Sequence, residues 1–217
     1  MPTTIDNETE LSAVNSILGS IGQSPVTTLG ETGDGNITYE NPEIAFIYNL
    51  LRDSNIDVQN EGWHFNTEHH VEFNVDTSNS NRIYIGNNIL RADVTDGWVD
   101  REYDVVVRNN YLYDKFDHTD DWSELSDNKI ELDVVYLFEF EKLPSVFKRY
   151  ITYRASRMAA TQLVANPQLV QLLTQQESLA RAACMEYECN QGNHSMFGFP
   201  DDSHVTTYQP FRSLRRR

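Results

Sequence analysis

The stretch from Leu143 to Asn190, LPSVFKRYITYRASRMAATQLVANPQLVQLLTQQESLARAACMEYECN, constrains the fold of this chain more than any other. Proline cannot continue a helix, and it pushes the residue before it out of the α region, so Asn166-Pro167 marks a corner between two long helices. On the first helix Pro144 sits where its missing N–H does no harm. Phe147, Ile151, Ala155, Met158 and Ala159 then recur at spacings of three and four, which gives one apolar face. On the second, Asn166 serves as N-cap with Pro167 at the first helical position. Leu169, Leu172, Leu173, Leu179, Ala180, Ala183 and Tyr187 make the matching stripe, which Gln176 interrupts. At about 1.5 Å per residue over about 22 residues, each helix is on the order of 33 Å long and needs other elements packed along it.

Two further helices are predicted near the N-terminus. Asn7-Glu8-Thr9-Glu10 has the spacing of a capping box, so a helix is expected to start at about Glu8. Leu11, Val14, Ile17, Leu18 and Ile21 keep its period until Gly22 and Pro25 stop it. Asn41-Pro42-Glu43 repeats the cap-and-proline signature, and Ile44, Ile47, Tyr48, Leu51, Asn55 and Val58 carry a second helix to Gly62. Between them, the glycine-rich run from Gly30 to Asn36 lacks the closing Lys-Ser/Thr of a phosphate cradle and carries two acids that repel phosphate. It reads as a connecting loop.

At Trp63 the period changes from helical to two, with Trp63, Phe65, Val71, Phe73 and Val75 on one side. Turn-rich segments at Asp76 to Asn81, Gly86 to Asn88, Asp96-Gly97 and Arg108 to Asn110 separate short runs at 82–85, 89–92, 103–107 and 111–113. A last strand is expected from Lys129 to Phe140, with Ile130, Leu132, Val134 and Tyr136 alternating with Glu131, Asp133 and Val135. This predicts a small antiparallel, meander-like sheet. The fold class is thus α+β: a four-helix bundle-like domain with an inserted antiparallel β-rich region and an extended C-terminal arm. The expected boundaries are a helical domain formed by 1–62 (first helix pair) and 143–192 (long hairpin), a β-rich region at 63–142 and an arm at 193–217.

Within 217 residues, 17 Lys+Arg against 33 Asp+Glu give a formal net charge of -16, which argues against wrapping nucleic acid or binding an anionic membrane by bulk attraction. Cys184 and Cys189 lie five apart on one predicted helix, too far apart and on different faces for a disulfide, and read as free thiols of a reducing compartment. The N-terminus has neither a basic region nor an apolar run of secretory type, and no stretch of 18 apolar residues occurs, so a soluble, unexported chain is expected. The arm is an exception in charge: Arg212, Arg215, Arg216 and Arg217 crowd its last six positions. Its aromatics are too many for an ordinary disordered tail, which favours an arm that docks on a partner over a solvated one.

The candidate chemistry is weak. His64, Glu68, His69 and His70 match no zinc spacing, and on a regular strand His69 would face away from the other three. Asp114, Asp117, Asp120 and Asp121 lack the ligand order and the glycine of a calcium loop. These acids are also the candidates for the carboxylate pair of a glycoside hydrolase, but spacing in sequence cannot show that two acids flank one sugar bond. No nucleophile with its base stands out.

Several stretches together resemble the tail tubular protein A family of short-tailed bacteriophages. They are Glu10 to Leu18 (ELSAVNSIL) with Ser20-Ile21-Gly22 and Pro25-Val26; Gly62 to Asn66 (GWHFN); Asn110 to Asp114 (NYLYD); Leu143 to Arg157; and Ala180 to Glu188. The order and spacing of these stretches carry the resemblance, which spans nearly the whole chain; the Gly30 to Asn36 loop and the arginine-terminated tail depart from the family.

The resemblance implies a non-enzymatic head-to-tail adaptor, or gatekeeper. It would form a twelve-fold homo-oligomeric ring between portal protein and tail nozzle protein, touching tail fibre, with viral DNA passing through its lumen without sequence-specific binding. It implies a place in the virion tail, assembled in the host cytoplasm, with no cofactor, no metal and no membrane. On this reading the arm binds the portal through Phe197, Phe199, Tyr208, Phe211, Arg212, Leu214 and Arg215. The hairpin's Arg149, Arg154, Arg157 and Arg181 supply the subunit interface, meeting acidic neighbours. The alternatives are a tail-associated glycan hydrolase and a generic intracellular binding protein.

Overall fold

Four helices and antiparallel sheets make up the chain in a computed structural model that describes residues 8–33, 36–38, 41–78, 80–95, 103–125 and 128–191. In order they are α1 (Glu10–Ser20), β1 (Glu31–Gly33), β2 (Asn36–Thr38), α2 (Pro42–Asn60), β3 (Thr67–Asn74), β4 (Ile89–Val94), β5 (Val105–Arg108), β6 (Tyr111–Asp114), β7 (Lys129–Tyr136), α3 (Ser145–Ala159) and α4 (Pro167–Gln191). The chain is therefore α+β, with its strands β3 to β7 between two helix pairs. It divides into two compact units, one holding the chain up to Glu61 together with Phe138–Asn190, the other holding Gly62–Leu137.

In the helical unit α1 begins later than its sequence suggests. Thr9 is the cap: its hydroxyl accepts from Ser12 N at 3.3 Å while Ser12 Oγ accepts from Thr9 N at 3.0 Å, so the reciprocal bonds form two residues beyond the expected Asn7 box. Asn7 itself lies outside the described residues. The helix stops at Ser20, and Gly22 turns the chain with φ +80, a conformation that a side chain would oppose. Asn15 then exchanges two hydrogen bonds with the Val26 backbone, 2.8 and 2.9 Å, which tie the following loop to α1. The Gly30 to Asn36 stretch, expected as a loop, carries the two-stranded ribbon β1–β2, with Glu31 opposite Thr38 and Gly33 opposite Asn36. At α2 the cap is as read: Asn41 Oδ1 accepts from Glu43 N at 3.0 Å and Pro42 follows.

α3 packs against both α1 and α2. Phe147, Tyr150, Ile151, Ala155 and Ala159 are buried there with Val14, Ile17, Ile47, Leu51 and Val58. Pro144 is the N-cap of α3 rather than its first helical residue. After Ala159 the helix widens into one π-helical turn, Ala160–Val164. Ala165 then adopts a left-handed φ of 52°, and Asn166 Oδ1 accepts from Gln168 N at 3.0 Å to start α4. The corner thus falls at the expected proline. Buried Gln59 fixes the point where the chain returns: its Nε2 donates to Phe138 O at 2.9 Å and its Oε1 accepts from Phe138 N at 2.8 Å.

In the β unit the expected meander is corrected to a sheet in the order β3–β7–β4, all antiparallel, with the last strand in the middle. β7 buries Ile130, Leu132 and Val134 on one face, while Lys129, Glu131 and Asp133 line the other, where Val135 alone is buried. The first three join Ile83, Ile85, Leu112 and Trp122 in the core. Trp63 and Phe65 precede β3 rather than lie on it. Buried Trp63 occupies a turn held by Asn66, whose Oδ1 accepts from Trp63 N at 2.8 Å and whose Nδ2 donates to Tyr136 O at 2.9 Å. β5 and β6 form a hairpin around Asn109-Asn110, both with positive φ, the geometry of a two-residue type I′ turn. The run 82–85 lies beside β6 through the Tyr84–Tyr111 bridge.

Candidate functional site

The charged side of the helix hairpin is built around Tyr150, whose ring is 1% exposed on α3. Its hydroxyl accepts from Arg154 Nη1 at 3.4 Å, one turn along the same helix, and from Arg181 Nη1 at 3.3 Å on α4. Arg154 Nη2 also donates to Asp57 Oδ2 at 3.1 Å, and Arg181 Nη2 to Glu61 Oε2 at 3.0 Å, both acids coming from the α2 end. Burial works against the Arg154 charge, but the Tyr150 hydroxyl and the Asp57 carboxylate outweigh it and raise the guanidinium pKa. Further along, Arg157 holds Glu177 of α4 through Nε and Nη2, a two-point pairing that suits the planar guanidinium. Lys148 is buried, with Nζ donating to Glu141 O at 2.8 Å and Glu8 O at 3.2 Å.

Of the four arginines expected to meet other subunits, Arg154, Arg157 and Arg181 are thus paired inside the chain. Exposed Arg149 makes no ion pair with any described residue. Sequence reasoning saw the cations but missed the acids of Arg154 and Arg181, because Asp57 on α2 and Glu61 at its C-cap lie some ninety to a hundred and twenty residues away.

The outward side of α4 carries large apolar side chains among polar ones. Leu173, Ala180 and Cys184 face inward, and Tyr187 packs edge to face on Phe147, whereas Leu172 is 59% exposed, Leu179 71% and Met185 48%. The expected stripe had counted Leu172 and Leu179 with the packed residues. They fall outside because α4 meets α3 along a narrow seam, and side chains one position off that seam point away. Leu163 and Val164 of the π turn are exposed as well.

Several of the acids and histidines considered for catalysis make structural contacts. Asp114 is buried, and its carboxylate accepts from the backbone N–H groups of Asp104, Phe116 and Asp117 at 3.2, 2.9 and 3.4 Å, which fixes the turn after β6. Asp120 pairs with Arg82. On β3 a bulge between Glu68 and Val71, with His70 at φ 57°, breaks the expected alternation: His69 pairs with Asp133 and His70 with Glu131, each at 2.9 Å. Among the described residues no three His, Cys, Asp or Glu converge as a metal-ligand set. Cys184 and Cys189 are free, the first buried, with its thiol pushed up to about 12 by burial and by Glu61, against the opposing effect of Arg181. A thiol so protonated is inert at neutral pH.

What the geometry offers is a pair of surfaces, the charged side of the hairpin and the outward side of α4. The family model described as Tail tubular protein matches residues 11–194. The chain belongs to the tail tubular protein family. No curated protein matches the chain significantly. As a tail tubular protein it is a structural component of the phage tail, and no helix among its described residues is long and apolar enough to cross a membrane. The matched stretch takes in all four helices and the β unit except the first residue of α1. The arm residues read as portal-binding, Phe197, Phe199, Tyr208, Phe211, Arg212, Leu214 and Arg215, lie beyond that stretch and outside the described residues.

Proposed function

We propose that this tail tubular protein is the head-to-tail adaptor of a short-tailed phage: a non-enzymatic ring, twelve-fold as the family resemblance implies, seated between portal and nozzle and acting as gatekeeper for DNA ejection. The observation that carries the reading is the family match over residues 11–194, and the outward face of α4 gives it a physical footing. Leu172 and Leu179, two turns apart on one side of α4, are large apolar side chains left exposed, and burying them against a neighbour is an ordinary use of such residues. Arg149, exposed on the adjoining helix, can meet the acidic surface of the next copy, with Arg154, Arg157 and Arg181 acting at the interface through the networks they hold in place.

In this scheme the helical part, 1–62 with 143–192, forms the body of the ring and the β-rich region 63–142 faces the nozzle and fibre. The arm 193–217 docks on the portal through Phe197, Phe199, Tyr208, Phe211, Arg212, Leu214 and Arg215. A net charge of -16 suits a conduit that DNA slides through without sticking. The test is deletion of residues 208–217: the shortened protein is expected to keep its helical circular dichroism and to lose portal attachment in a pull-down. Undiminished attachment removes the arm from the scheme.

A further inference from the structure

Outside the helix hairpin, the β5–β6 hairpin presents a face of alternating arginine and tyrosine. Along the run 82–85 and the two strands beside it, Ile83, Ile85 and Leu112 go into the core. The intervening positions, Arg82, Tyr84, Tyr111, Tyr113 and Arg108, therefore share the opposite face. Their side chains are already stacked on one another. Arg108 Cζ lies 4.0 Å from the centre of the Tyr113 ring, Arg82 Cζ lies 5.4 Å from that of Tyr111, and the Tyr84 and Tyr111 rings meet edge to face at 5.9 Å. Arg82, Arg108, Tyr111 and Tyr113, with Asn109 and Asp120, line a concavity of about 340 Å³, and Tyr84 stands beside it against Tyr111.

The donors of this face are incompletely used. Arg108 is exposed, lies beside the Tyr113 ring and makes no ion pair with any described residue. Arg82 Nε is 2.9 Å from Asp120 Oδ2, an ion pair by distance, yet this buried N–H has no aligned hydrogen-bond acceptor. A guanidinium lying on an aromatic ring has lost its rotamer freedom before anything binds, and its fork matches a carboxylate at two points. The type I′ turn at Asn109-Asn110 sets Arg108 opposite Tyr111 and fixes the geometry further.

We infer that this face is a docking site for an acidic polypeptide segment of another tail protein, a segment in which a Glu or Asp carboxylate is held by Arg108 while a neighbouring aromatic or aliphatic side chain packs on Tyr111 and Tyr84. Charge complementarity selects the occupant. Two arginines against one aspartate give a small positive site on a chain of net charge -16, which suits one or two carboxylates. A nucleic acid needs a run of cations to neutralise successive phosphates, whereas the cations lining this concavity are Arg82 and Arg108. Tyrosine and arginine are also the residues that most often carry binding energy at protein interfaces. The site lies wholly within the β unit and does not depend on ring assembly.

Fluorescence anisotropy of the full-length protein with a labelled peptide of alternating Glu and Phe, and separately with a labelled single-stranded oligonucleotide, tests the assignment. Saturable peptide binding that loosens as salt rises is expected. Arg108→Glu should weaken it about tenfold, equivalent to roughly 1.4 kcal/mol. Arg108→Lys, which keeps the charge and loses the fork, should fall between, and Arg52→Glu on α2 should leave it unchanged. No peptide binding, equal binding by wild type and Arg108→Glu, or tighter capture of the oligonucleotide would each overturn it.

Discussion

Phe147 of α3 and Tyr187 of α4 meet edge to face, with ring centres 5.8 Å apart and planes at 89°. Phe147 is fully buried, and the contact lies on the same seam as Cys184, whose thiol reaches toward Val146 O at 3.4 Å. The seam is narrow, so each large ring in it bears much of the hairpin's cohesion. Phe147→Ala is expected to cost about 3–5 kcal/mol. Urea denaturation followed by circular dichroism measures this; a loss near zero would mean that α4 is held some other way.

Tyr150 anchors the arginine network within the helical unit. Tyr150→Phe removes the oxygen that Arg154 and Arg181 share and should destabilise the subunit by roughly 1–3 kcal/mol, because two charged donors lose an acceptor in a partly buried site. Arg149→Glu touches no such partner and should leave subunit stability within about 0.5 kcal/mol. Equal effects of the two substitutions on denaturation would contradict the distinction.

Thiol reactivity provides an independent check on burial. Exposed Cys189 should react with a disulfide reagent at neutral pH in the native protein, and Cys184 only after unfolding. Since the Cys184 pKa is raised from 9.0 to about 12, the unfolded chain releases that proton first, and stability should decline as pH climbs through this window. Two thiols of equal reactivity in the native protein would refute the packing of α4.

Asp133 governs the acid side of the β unit. Burial alone would raise its pKa, but the Thr95 hydroxyl, His69 and the His70 backbone N–H together lower it from 3.8. A depressed carboxylate pKa adds stability above the unfolded value, and that contribution is lost as pH falls through the folded one. Asp133→Asn should therefore lower the melting temperature at pH 6 and narrow the difference from wild type below pH 3.8. A constant difference across that range would assign the effect to shape instead of charge.

Local signals made the helices legible. Asn41-Pro42 and Asn166-Pro167 act through bonds to residues two positions on, so both starts fall where the sequence places them. The start of α1 was less legible, since its cap is Thr9 paired with Ser12, two residues beyond the box that the spacing suggested. Strand order was not legible: alternation identifies β7 as a strand, but its place between β3 and β4 rests on pairings with residues far away in the sequence, which alternation does not encode. The bulge at His70 likewise depends on pairing with Glu131 and Asp133 of β7, more than sixty residues away. At the candidate interface the arginines were visible and their acids were not, and the direction of Leu172 and Leu179 turned on the width of a seam that periodicity does not encode.

The central claim is that these subunits close into a ring that seats on the portal. Electron microscopy of the full-length protein mixed with the portal protein of the same phage tests it most directly, with Leu179→Glu alongside to place a charge on the outward face of α4. The account predicts wild-type rings capping the portal and a Leu179→Glu subunit that is folded by circular dichroism but fails to close them. Wild-type protein that remains monomeric and unattached beside intact portals would contradict it.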